Sequence, residues 1–260
     1  MRHVIAGAVA IAAVTLASSE SGCSVGNGVG SVTGDLFVSD CWSGKFDLQP
    51  DFFGATPSAD DDTLTLRIQR GSDYITFSDG ISILVTHVTE LREAIAANGP
   101  QSLSVSLPPS VVPPGVPITP DPNPSTVELA LYLQQTCRPE TPALYAMSTV
   151  TVDETGGDAG SECSAQTAAI AGQCDQNVTV PTGTSTITFQ HIFDASLADG
   201  GDPGGLTADE RLIQATFDVV LADPRDMCPG GLGPPAPCRG HLTGSFQFYF
   251  ERGKPAQAFP

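Results

Sequence analysis

Basic residues are scarce in this chain of 260 residues. Eleven lysines and arginines stand against 29 aspartates and glutamates, a formal net charge of −18. Gripping a phosphate backbone takes a basic face that displaces counterions, so the composition excludes nucleic acid as a partner. Long apolar runs are equally few. Val4 to Ala17 is uncharged, but it is shorter than the roughly 20 residues a bilayer-spanning helix needs, and nothing downstream resembles it. The mature chain is therefore expected to carry no transmembrane helix. Metal-ligand spacing is missing too. There is no Cys-x-x-Cys, and no histidine lies within four residues of a cysteine except His241 after Cys238, which speaks against zinc.

Catalytic signatures fail on context. Gly22-Cys23-Ser24-Val25-Gly26 has the Gly-x-Ser-x-Gly form, but a nucleophile elbow needs a strand-to-helix turn, and here it straddles an expected cleavage site. Gly26-Asn27-Gly28-Val29-Gly30 looks like a phosphate loop without a lysine or the flanking strand and helix. His3, His87, His191 and His241 are scattered. A triad assembles from distant positions, yet nothing here singles one out, and the chain reads as a non-enzyme.

What is present begins at the amino terminus. Residues 1–22 read as an export signal. Met1-Arg2-His3 is a short positive region, Val4 to Ala17 the apolar core, and Ser18 to Gly22 a stretch of small residues around Glu20. Ser21-Gly22-Cys23 resembles the lipobox of bacterial lipoproteins, with Glu20 where that family usually has an aliphatic residue. The resemblance implies a diacylglycerol thioether on Cys23, cleavage before it and acylation of the new amino group. Each buried CH₂ of such chains contributes about 0.8 kcal/mol to membrane attachment. Ser24 in place of Asp implies an outer-membrane lipoprotein of the cell envelope, with the membrane as a partner through the anchor only. The alternative is ordinary cleavage near Ser19 or Ser21 and secretion, leaving Cys23 a plain thiol.

Setting Cys23 aside leaves Cys41, Cys137, Cys163, Cys174, Cys228 and Cys238, an even number that suits an oxidising compartment. Six cysteines allow 15 pairings. Proximity favours Cys163 with Cys174 and Cys228 with Cys238, which leaves Cys41 for Cys137. Closing that long loop is worth about 4–5 kcal/mol in the chain-entropy treatment.

Glycine and proline, 27 and 22 residues, make the chain loop-rich, while 40% hydrophobic residues suffice for a core. The expected fold is mostly β: an antiparallel sandwich or barrel-like sheet with one or two short helices and long Pro/Gly-rich loops. Residues 23–31 read as a flexible tether and 32–260 as a single β-rich domain. Strands are expected at Val32 to Val38, Lys45 to Leu48, Thr63 to Gln69, Tyr74 to Phe77, Ile81 to Val88, Ser102 to Leu107, Val127 to Leu133, Leu144 to Val152, Thr186 to Phe193, Ala215 to Leu221 and Leu242 to Phe250. Ser78-Asp79-Gly80 reads as a turn. A helix capped by Thr89 carries Leu91 and Ile95 on one face and stops at Asn98-Gly99-Pro100, and Thr207 with Glu210 has capping-box spacing. Residues 108–124 form a proline-dense crossing, and 156–180 a disulfide-pinned insertion. Val32 to Val38 and Leu242 to Phe248 echo each other, as the two ends of a closed antiparallel fold would.

Two acidic clusters have chemical content. Asp60-Asp61-Asp62, and the segment holding Asp194, Asp199 and Asp202, could supply oxygens to calcium, though neither has EF-hand spacing; solvated acidic turns are the plainer expectation. No other cofactor is implied. Asn177-Val178-Thr179 is a sequon, idle in a bacterial export route. Trp42 beside Cys41, with Phe52-Phe53, is either packing against the disulfide or a sugar platform. The functional expectation is a lipid-anchored envelope protein serving as a structural or binding module, with a protein or glycan partner. The alternative is a secreted hydrolase or calcium-dependent carbohydrate-binding domain.

Overall fold

Alternation of apolar and polar residues decides how the strands face, and pairing turns that alternation into layers. In the computed structural model, which describes residues 28–38, 41–71, 78–105, 107–108, 126–139, 143–146, 185–201, 205–223 and 240–251, Leu64, Leu66 and Ile68 are buried while Thr63, Thr65 and Arg67 are partly exposed. The elements are β1 (Gly28–Val38), β2 (Trp42–Leu48), β3 (Phe52–Ser58), β4 (Thr63–Gln69), β5 (Asp79–Thr86), α1 (Val88–Asn98), β6 (Gln101–Ser104), β7 (Val127–Leu133), β8 (Ala143–Ala146), β9 (Thr186–His191), α2 (Ala195–Ala198), β10 (Leu212–Ala222) and β11 (Gly240–Tyr249).

The strands form one 11-stranded antiparallel sheet in the order β2-β1-β11-β10-β8-β7-β5-β4-β3, with β9 branching from β10 and β6 pairing β9. Register stacks like on like. Leu64 faces Val85 and Val85 faces Val127; Leu66, Ile83 and Leu129 form the next row, and Ile68, Ile81 and Leu131 the third. All nine are buried. A slip of one residue would turn every one of them to water.

Two features roll the sheet. Strand β10 is eleven residues long; its first half pairs β9, while Leu221 and Ala222 pair β8. A parallel bridge between Val105 and Val127 then joins the β6 branch back to β7. The edge strands β2 and β3 lie at opposite ends of the sheet order, yet only Gln49, Pro50 and Asp51 separate them. That connection reaches roughly 14 Å at most, so the edges must curl toward each other. Phe53 of β3 accordingly packs over the other half, 5.8 Å from the Phe248 ring. Gly28 and Gly30 make room for it, since a Cβ at either would sit within 3.0 Å of the Phe53 ring. The mostly β, sandwich- or barrel-like architecture expected from the sequence is the one found, and the echoing end segments pair directly, Gly34 opposite Leu242.

Several local expectations need correction. Gly28 to Ser31, read as part of a flexible tether at 23–31, instead pair with Phe248 to Ser245 as the start of β1; backbone pairing overrides the local softness of glycine. The turn expected at Ser78-Asp79-Gly80 is instead the start of β5, where buried Asp79 accepts from the backbone N–H groups of Gln135 (2.9 Å) and Thr136 (3.1 Å) and from the Thr136 hydroxyl. Strand β3 was not expected at all. Helix α1 is not capped by the Thr89 side chain. Its N-cap is His87 in left-handed conformation, and the cap comes from a loop 27 residues earlier: the Asp62 carboxylate accepts from the Thr89 N–H (3.1 Å) and hydroxyl (2.8 Å). The expected stop holds, with Gly99 at φ 80° just beyond Asn98. The Thr207–Glu210 capping box forms in both directions, at 2.6 and 3.4 Å, ahead of a 3-10 turn at Asp209–Arg211. The expectations at 1–27, 74–77, 109–124, 147–184 and 224–239 lie outside the described residues. No helix among the described residues is long and apolar enough to cross a membrane.

Candidate functional site

The rows that bury Leu64, Leu66 and Ile68 inward put their neighbours on the outer face of β4, β5, β7 and β8. Thr65 faces Leu84, which faces Glu128; Arg67 faces Ser82, which faces Ala130, which faces Tyr145. Tyr132 follows Ala130 on the same face of β7. These residues, with Leu129 and Pro108, line an open groove of about 230 Å³. Ala130 is only 7% exposed although it points outward, so it is the floor. Arg67, Glu128, Tyr132 and Tyr145 are each half-buried. Partial burial raises the Glu128 carboxyl above its ordinary range, because the charged form loses hydration there.

The groove therefore offers a guanidinium, a carboxyl whose pKa is raised by burial, two hydroxyl side chains and two phenols around a small apolar floor. Among the described residues that line it there is a single carboxylate and no histidine or cysteine. Glycoside hydrolysis by the usual route takes two carboxylates across the scissile bond, and nucleophilic catalysis takes a nucleophile with a base in reach. The described lining residues offer hydrogen-bonding groups and two phenol rings.

Asp62, Asp194 and Asp199, drawn from both clusters, act electrostatically on the guanidinium of Arg92 on α1. Burial pushes the Arg92 pKa down, and these three carboxylates oppose that. Arg92 also donates from Nε to the Phe193 carbonyl at 2.9 Å and lies 4.9 Å above the Phe193 ring, which stacks on Phe250 at 4.3 Å. Asp61 accepts from the Ser58 hydroxyl at 3.0 Å. Asp194 caps α2, and the Ser196 hydrogen bonds hold its carboxyl below the usual range. Among the described residues no group of three or more His, Cys, Asp or Glu side chains could hold a metal ion; Asp202 lies outside them.

The other candidates separate. Phe52 and Phe53 are core residues, while Trp42 is 36% exposed and sits edge-on to Phe46 at 6.3 Å; the three form no common platform. His241 bonds through Nε2 to Asp218 at 2.7 Å, beside Asp35 and its salt bridge to Lys45 at 2.8 Å. His87 contacts the Thr86 hydroxyl at 3.2 Å, and His191 ends β9. None of the three is in the groove. Cys41 and Cys137 are joined by a disulfide across 96 residues, Cα–Cα 5.5 Å, tying the β1–β2 turn to the segment after β7. Cys23, Cys163, Cys174, Cys228 and Cys238 lie outside the described residues.

Sequence reasoning passed over Arg67, Glu128, Tyr132 and Tyr145. Their signal was weak: each is the outward member of an alternating strand, and only register brings them together. No protein-family model, curated protein or solved structure matches the chain.

Proposed function

We propose that the protein is a lipid-anchored component of the bacterial envelope that works as a binding module, with the β4–β5–β7–β8 groove as its binding surface. The observation that carries the reading is the groove itself: half-buried Arg67, Glu128, Tyr132 and Tyr145 around the Ala130 floor. Half-buried polar groups of this kind are kept in position by neighbours rather than waving in water, which favours specific contact over simple solvation. The lining chemistry favours binding over hydrolysis, since the described lining residues include one carboxylate and no nucleophile–base pair.

The anchor is supported by the lipobox-like Ser21-Gly22-Cys23 and the apolar run before it. With β1 starting at Gly28, the link from Cys23 spans at most roughly 18 Å. The module would then ride close to the lipid surface, not at the end of a long leash. Intact mass of the membrane-extracted protein tests this. The expected species starts at Cys23 and carries the mass of diacylglyceryl and acyl groups, and Cys23→Ala moves the protein to the soluble fraction. A membrane-extracted species with an unmodified Cys23, or one that keeps residues 1–22, contradicts the anchor.

A further inference from the structure

We infer that the groove binds a neutral oligosaccharide, one pyranose ring resting against Tyr132 and Tyr145 with its hydroxyls taken up by Arg67, Glu128, Ser82 and Thr65. The inference rests on reading the groove as the binding surface and names its ligand class.

Shape comes first. The groove runs across four strands and is open to solvent over about 230 Å³. Apolar small molecules are bound by enclosure that removes most of their surface from water, and the described residues of this trough give no such enclosure. A ligand here keeps one side wet, so the ligand must itself be amphipathic: an apolar face toward the sheet and polar groups toward rim and solvent. A pyranose has that division, with axial C–H groups on its faces and hydroxyls around its edge. Tyrosine supplies the complementary surface, an apolar ring with a polar tip.

The rim chemistry agrees. Arg67 presents a planar fork of donors, which suits two adjacent oxygens. Ser82 lies directly across from it on β5 and can donate or accept. Glu128 sits one row away, opposite Leu84, and its raised pKa leaves it ready to accept from a hydroxyl or, once protonated, to donate. The hydroxyl, phenol and carboxyl groups thus match a hydroxyl-rich partner, which also donates and accepts at each atom. Charge removes the nearest rivals. A polyanion is opposed by the net charge of −18 and would meet one guanidinium among the described lining residues. A polycation would meet one carboxylate among the described lining residues, in company with the Arg67 guanidinium.

The test is a microarray that carries neutral oligosaccharides of glucose, galactose, mannose and N-acetylglucosamine, together with proline-rich and lysine-rich peptides, probed with the full-length mature protein. Binding to a neutral oligosaccharide is expected. In calorimetric titration with the best-bound one, Tyr145→Ala and Arg67→Met weaken affinity tenfold or more. Tyr145→Phe, which keeps the ring, stays within threefold, and so does Trp42→Ala. Circular dichroism of each variant checks folding, and Glu128→Gln provides a milder second probe, weakening affinity several-fold. Saccharide binding that survives both Tyr145→Ala and Arg67→Met overturns the inference. Binding to peptides alone, lost in Tyr145→Ala, overturns it while leaving the groove a binding surface. Binding to nothing on the array overturns both.

Discussion

Arg92 shows how one side chain can absorb a feature that looks like a ligand site. Its guanidinium is partly desolvated, hydrogen-bonded to the Phe193 carbonyl and placed over the Phe193 ring, while Asp62, Asp194 and Asp199 favour its charged form electrostatically. Arg92→Met keeps much of the stem's packing but removes the hydrogen bond and the cation–π contact. It should cost about 1–3 kcal/mol in urea unfolding. Glu128 gives a prediction of the opposite sign. A carboxyl whose folded pKa is raised favours folding while protonated and loses that contribution as pH climbs from the ordinary carboxylate range through the raised value. Glu128→Gln should therefore match the parent near pH 4 and exceed its stability at pH 7. Because the side chain is half in water, the gain should stay under about 0.5 kcal/mol. Parallel thermal melts at the two pH values check both parts. At this scale the sequence was partly legible. Asp62 stood out as acidic, but its role as a cap on α1 depends on a contact 27 residues away.

Among the elements, the strands with clean alternation were legible and the others were not. Leu64, Leu66 and Ile68 announce β4 because each second residue is apolar and its neighbours are polar. Phe52–Ser58 hides its pairing behind Gly54 and Pro57, residues that read as loop, and only its position against β4 and the Phe53–Phe248 contact explain it. The start of β5 hides behind Asp79 and Gly80, whose turn chemistry yields to a buried carboxylate organising residues 135–136. The groove was illegible for the same reason on a larger span, since its walls run from Thr65 to Tyr145 and no local pattern records their register. Packing between elements gives a sharp test. Gly244 of β11 lies under the Phe217 ring, and a Cβ there would run into it. Gly244→Val should destabilise the protein by about 1–3 kcal/mol, read as a lower urea midpoint with an unchanged slope. Removing the helix cap with Asp62→Ala should cost about 0.5–2 kcal/mol; a variant as stable as the parent would detach the cap from the stability of α1.

For the whole molecule, the sheet curls because β2 and β3, its two edges, are joined by three residues, and the Cys41–Cys137 bond ties the β1–β2 turn to the segment after β7. Replacing both cysteines by serine should lower stability by about 4–5 kcal/mol if loop closure in the unfolded chain is the main term, and guanidinium unfolding of the pair variant measures it. The overall class was legible because many short alternating strands with frequent turns leave few alternatives. The order of strands was not, apart from the echo that pairs β1 with β11. The most direct measurement of the central claim, that the outer face of β4, β5, β7 and β8 is where this protein meets its ligand, is an amide NMR titration with the best-bound oligosaccharide. The account predicts shifts concentrated at Thr65, Arg67, Ser82, Leu84, Glu128, Tyr132 and Tyr145, with Trp42 and Arg92 still. Shifts centred on Trp42, or spread evenly over the sheet, would contradict it.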